Sequence, residues 1–125
     1  MRLIVHIVLL SLLLCLPARA QDVEINVGPA LVCDTQQQAE QFLAVYQGDA
    51  PRAVARVNTE ANTPDACVIA GFAYVLGPKV AIRRTDTTTF HVVQVLVLAV
   101  FVDGNLHVIQ PAVFFSVAEG DEQPT

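Results

Sequence analysis

Beyond residue 20, His91 and His107 are the only side chains that titrate near neutral pH, so any acid–base or metal chemistry begins with them. Their placement argues against a joint site. With Asp103-Gly104 as a two-residue hairpin loop, His107 falls opposite Val100. His91 then lies nine residues further along the same strand, about 30 Å away if extended. Each histidine reads as a strand-end or surface residue before it reads as a catalyst.

Other nucleophiles are scarce. Ser116 is the only serine after residue 20, and it stands between Phe115 and Val117 without the G-x-S-x-G context of a hydrolase elbow. Thr85, Thr87, Thr88 and Thr89 crowd one segment beside Arg83, Arg84 and Asp86. Hydroxyls next to two guanidiniums could hold an anion such as a phosphate or a sugar acid, and Arg83, Arg84, Asp86, Thr88 and His91 are the candidate contacts. The plainer account is a threonine-rich connection with solvated arginines. The sequence holds no Gly-rich phosphate loop, no H-E-x-x-H and no calcium-loop pattern. The reading is therefore no catalytic constellation, no metal and no cofactor.

Cysteine usage points to structure. Apart from Cys15, the chain has Cys33 and Cys67, and a pair in an exported chain is expected to form a disulfide. The bridge would close a loop over residues 34 to 66, stabilising the fold by roughly 3–4 kcal/mol through chain entropy. Redox pairs favour C-x-x-C spacing, and a zinc site needs clustered ligands that are absent from the sequence around them.

Residues 1–20 explain why export is expected. Arg2 provides a positive start, and Leu3–Leu16 is apolar except for His6 and Ser11. Pro17 then breaks the run, and Ala18-Arg19-Ala20 is a small-residue cleavage pattern before Gln21. A retained anchor is the alternative, but fourteen residues of helix span about 21 Å, short of a hydrocarbon core near 30 Å. Leu14 before Cys15 does not suit the lipobox of a lipoprotein. With this segment removed, 105 residues remain, carrying five bases against twelve acids, a net charge of −7. That balance excludes a basic nucleic-acid binder, and the length excludes a multidomain enzyme.

The pattern between the cysteines is helical. Asp34-Thr35 followed by Gln37 and Gln38 offers a capping box, and Ala39, Phe42, Leu43 and Tyr46 form one apolar stripe. Gly48 ends that helix, Asp49 and Pro51 start another, and Ala53, Val54, Val57 and Ala61 continue the stripe. Strand patterns dominate elsewhere: Val23–Val27, Val68–Leu76, Val80–Arg83, Phe90–Val102, Leu106–Ile109 and Ala112–Val117, with Gly77-Pro78 and Pro111 as breaks. The expectation is one α+β domain over residues 21–118, with an acidic tail over 119–125. An N-terminal helical hairpin should pack on an antiparallel meander or small barrel of five to six strands.

Val95–Val102 is an uninterrupted apolar run of eight residues. A half-exposed strand alternates, so both faces of this one should be covered. The helical pair would cover one face, and a barrel interior or a second copy in a homodimer the other.

The runs V-C-D-T-x-x-Q-A-E-Q-F at 32–42, V-N-T-E-A at 57–61 and F-H-V-V-Q-V-L-V at 90–97 resemble small exported bacterial proteins with no assigned activity. The likeness covers most of the chain after residue 20 and assigns no functional residue. The meander with its hairpin return also resembles SH3-like small barrels, a likeness of fold alone. Two functions follow as expectations. The first is an exported, non-catalytic module, periplasmic or secreted. It would bind a protein or cell-envelope partner, with no nucleic acid and no membrane after signal cleavage, and its acidity would suit inhibition of a basic secreted enzyme. The second is a small periplasmic hydrolase or ligand-binding enzyme, using His91 with Asp86 and the Thr85–Thr89 loop.

Overall fold

The computed structural model describes residues 23–120. The expected signal segment, its cleavage site, Cys15 and the end of the acidic tail all lie outside these residues. Six elements follow one another: β1 (Asn26–Cys33), α1 (Gln36–Val45), α2 (Ala50–Glu60), β2 (Cys67–Arg84), β3 (Thr89–Val102) and β4 (Asn105–Glu119). The strands pair antiparallel in the order β1-β2-β3-β4 and close into a barrel. Closure is narrow, because β1 meets β4 only at Cys33–Phe115.

The α+β class stands, with two corrections to its details. The helical hairpin does not precede the sheet; it is inserted between β1 and β2. β1 runs from Asn26 to Cys33 rather than over Val23–Val27, and it carries Pro29. That proline is tolerated because β1 has no strand on its second side before Cys33. The described residues also form four strands, not five to six. Gly77-Pro78 does not end β2, since register shifts between Leu76 and Lys79 and between Lys79 and Ala81 absorb it. Pro111 is carried through β4 in the same way, beside the shift at Val97/Ala99 of β3. A proline reads as a break in sequence, but a bulge removes the requirement that its nitrogen donate to the ladder.

The helices start where the side chains cap them. The Thr35 hydroxyl accepts from Gln38 N–H at 3.2 Å, and the Gln38 carboxamide accepts from Thr35 N–H at 3.1 Å. Asp49 accepts from Arg52 N–H at 3.1 Å at the start of α2, with Pro51 in the first turn. Asn62, at φ 54°, turns the chain out of α2. Between the helices Gln41 donates to Glu60, which also pairs with Arg56.

Two apolar clusters divide the molecule. The outer one joins Ala39, Phe42, Leu43, Ala53 and Val57 of the helices to Cys33, Cys67 and Val92 of the sheet. The inner one joins Val32, Phe72, Val93, Val95 and Val97, with Ala30, Val100, Ile109 and Phe114 around them. Every strand contributes to it, so it fills the barrel. Within Val95–Val102, Val95, Val97 and Val100 face this interior, and Ala99 is also buried. On the outer face the helices cover Phe90 and Val92, whereas Leu96 is exposed. The hairpin reaches no further because both its ends are tied at Cys33 and Cys67.

Candidate binding site at the barrel mouth

Cys33 and Cys67 form a disulfide across directly paired positions, with Cα atoms 4.0 Å apart. Asp34 N–H donates to Ala66 C=O at 2.9 Å, which extends the ladder one step beyond the bridge. This rung fixes the end of the barrel where β2 begins. Val32 and Val68, the next pair inward, form one wall of a pocket of about 260 Å³. Phe72, Val97, Val100, Ile109 and Phe114 complete it. All seven lining side chains are apolar, and they come from all four strands. Sequence reading missed this pocket, because its lining is assembled by register. The only local signal is the interior alternation Val93-Val95-Val97.

Charge is distributed unevenly about this mouth. Asp34 and Asp65 flank the disulfide in sequence, and Asp103 stands at the β3–β4 turn three residues after Val100. All three are exposed. Burial, and after it the charge of Asp65, pushes the Asp34 carboxyl up from its ordinary value. The described bases are not on these strand ends: Arg52 and Arg56 are on α2, where Arg56 pairs with Glu60, and Lys79, Arg83 and Arg84 are in the latter half of β2.

The residues singled out from sequence as an anion site occupy that far end. Arg83 pairs with Phe90 and Arg84 with Thr89, and neighbouring strand residues point to opposite faces, so the two guanidiniums do not converge. The Thr85 hydroxyl is occupied in its own loop, accepting from Thr88 N–H at 3.0 Å and donating to Thr88 C=O at 3.1 Å. Arg83 borders a cleft that also contains Glu40, a carboxylate that an anion would have to face. Asp86 is exposed in the loop.

His91 sits opposite Ile82 and Ala118 and shares the inward alternation of Val93 and Val95. It is 3% exposed. Neither ring nitrogen has a hydrogen-bond partner among the described residues, so no carboxylate orients the ring. Ser116, also buried, lies on the diagonal from His91 and does not bond to it. His107 pairs with Val100, as the two-residue loop requires, and Asp103 and Gly104 have the positive φ angles (51° and 79°) of that turn. His91 is thus near the start of β3, whereas His107 lies on β4 opposite the other end of β3. Among the described residues no three His, Cys, Asp or Glu side chains group as metal ligands. No described helix is long and apolar enough to cross a membrane.

No protein-family model, curated protein or solved structure matches this chain.

Proposed function

We propose that this chain is an exported, non-catalytic binding module that captures an apolar group of its partner in the mouth of the barrel. The observation that carries the reading is the pocket of about 260 Å³ lined by seven apolar side chains and no polar one. A pocket with this lining orients nothing for bond-making, but it binds by removing apolar surface from water, about 25 cal/mol for each Å² buried. The disulfide supports export, since such bridges persist in oxidising compartments. Among the described residues neither ring nitrogen of His91 has a partner, so none of them supplies the acid–base pair that the alternative hydrolase reading needs.

Methyl NMR of the purified protein tests the reading. An uncharged extended peptide with a central leucine should shift the methyls of Val32, Val68, Val97, Val100 and Ile109. Val100→Phe, which fills the pocket, should abolish those shifts. Unmoved pocket methyls at millimolar peptide would overturn it.

A further inference from the structure

The pocket borders a strand edge that nothing described covers. Residues Asn105–Phe114 of β4 pair with β3 on one side, and on the other β4 meets β1 only at Phe115. No further backbone hydrogen bond ties Asn105–Phe114 to the rest of the described chain. The edge is also apolar and open: Leu106 and Val113 are exposed, and Val108 is 83% exposed. Proteins usually guard such edges with charge. β2 shows the guard at work, because beyond Tyr74, where it pairs with β3 but no longer with β1, it carries Pro78, Lys79, Arg83 and Arg84. β4 has no Asp, Glu, Lys or Arg from Asn105 to Ala118, and Pro111 is its only blocking residue. Ile109 and Phe114 belong both to this edge and to the pocket wall. A strand laid along β4 would therefore send alternate side chains towards the pocket.

Charge decides what the strand is. Asp34 and Asp65 continue from the pocket wall at Val32 and Val68, and Asp103 closes the turn beside Val100. No base lies on the strand segments that line the pocket. A second copy would bring only its own charge-free β4 and a net charge of the same sign. We infer that the edge of β4 accepts an extended segment of a partner protein as a fifth strand. An apolar side chain of that segment enters the pocket, and flanking Lys or Arg residues face Asp34, Asp65 and Asp103. This rests on the apolar-mouth reading and adds the partner's backbone form and charge.

Amide and methyl NMR titrations with three six-residue peptides separate the two. All three alternate valine or leucine with a second residue, which is lysine, threonine or glutamate. The lysine peptide should shift the pocket methyls and slow exchange of the Leu106–Gln110 amides. It should bind at least about tenfold more tightly than the glutamate peptide, an advantage that falls with salt and in the triple variant D34N/D65N/D103N. Equal binding of all three would overturn the charge argument and leave the pocket reading standing. Pocket shifts without protection of β4, or protection on β2 instead, would overturn strand addition. Silence from all three overturns both readings. A dimer of the peptide-free protein in light scattering, with β4 protected, would assign the edge to a second copy.

Discussion

Asn58 of α2 holds both backbone polar groups of Cys67: its carboxamide oxygen accepts from Cys67 N–H at 2.7 Å, and its Nδ2 donates to Cys67 C=O at 3.0 Å. The same Nδ2 donates to Pro64 C=O at 2.9 Å. One side chain thus docks the end of the helical hairpin on the first residue of β2. Asn58→Ala leaves those groups to find other partners and should lower unfolding stability by about 2 kcal/mol. Asn58→Asp sets a carboxylate oxygen against the Pro64 and Cys67 carbonyl oxygens, so it should cost at least as much. Urea unfolding of the two variants checks the order.

The disulfide closes the same junction. Its loop spans residues 34 to 66 and includes both helices. Cys33→Ser with Cys67→Ser should lower stability by roughly 3–4 kcal/mol, chiefly by freeing the unfolded chain. The urea m-value should rise, because the unfolded chain is no longer held compact by the loop. An unchanged m-value would place the effect in the folded state instead.

His91 is buried, and neither of its nitrogens has a partner among the described residues. A buried polar group left unsatisfied is expensive, and an apolar replacement of similar shape avoids that cost. His91→Leu should raise unfolding stability by about 1–2 kcal/mol and leave peptide binding at the mouth unchanged. Loss of binding in this variant would tie the far end of the barrel to the site.

Gly77 shows why the β2 bulge has its composition. A Cβ there would stand 2.9 Å from the Gln94 carbonyl oxygen, a backbone atom that cannot swing aside. Gly77→Ala should therefore destabilise by about 1–3 kcal/mol. Gly120→Ala, which meets open space, should be close to neutral. Thermal melts of the pair check the contrast.

Asp34 gives the fold a pH dependence of definite sign. Its carboxyl is raised by burial and then by Asp65, so the folded chain holds that proton more tightly than the unfolded one. At this site stability is highest in acid and is lost as pH rises through the carboxylate range. Asp65→Asn should lower the Asp34 midpoint towards its ordinary value, read by carboxyl NMR. It should also raise stability at neutral pH relative to the parent chain, with the difference shrinking as the solution is acidified.

Local order was legible in the sequence wherever neighbours in the chain set it. The Thr35–Gln38 box, the Asp49 cap, the Asp103-Gly104 turn and the opposition of His107 to Val100 all follow from residues a few positions apart. The cysteine pairing followed from the expectation of export and an even count. Strand number did not. Gly77-Pro78 and Pro111 carry the local signal for a break, and only pairing with β3 decides that the chain bulges and continues. The spacing also could not show that Arg83 and Arg84 diverge, because that depends on where β2 stays extended. Nor could it show the binding mouth. Val32, Phe72, Val97, Val100, Ile109 and Phe114 are spread over 83 positions of sequence, and it is ladder register and the closure at Cys33–Phe115 that bring them together. The sequence by itself determined the acidic balance, the two helices and the disulfide. The tertiary structure alone decided which apolar residues became core and which became pocket, since alternation assigns a face but only packing decides what covers it.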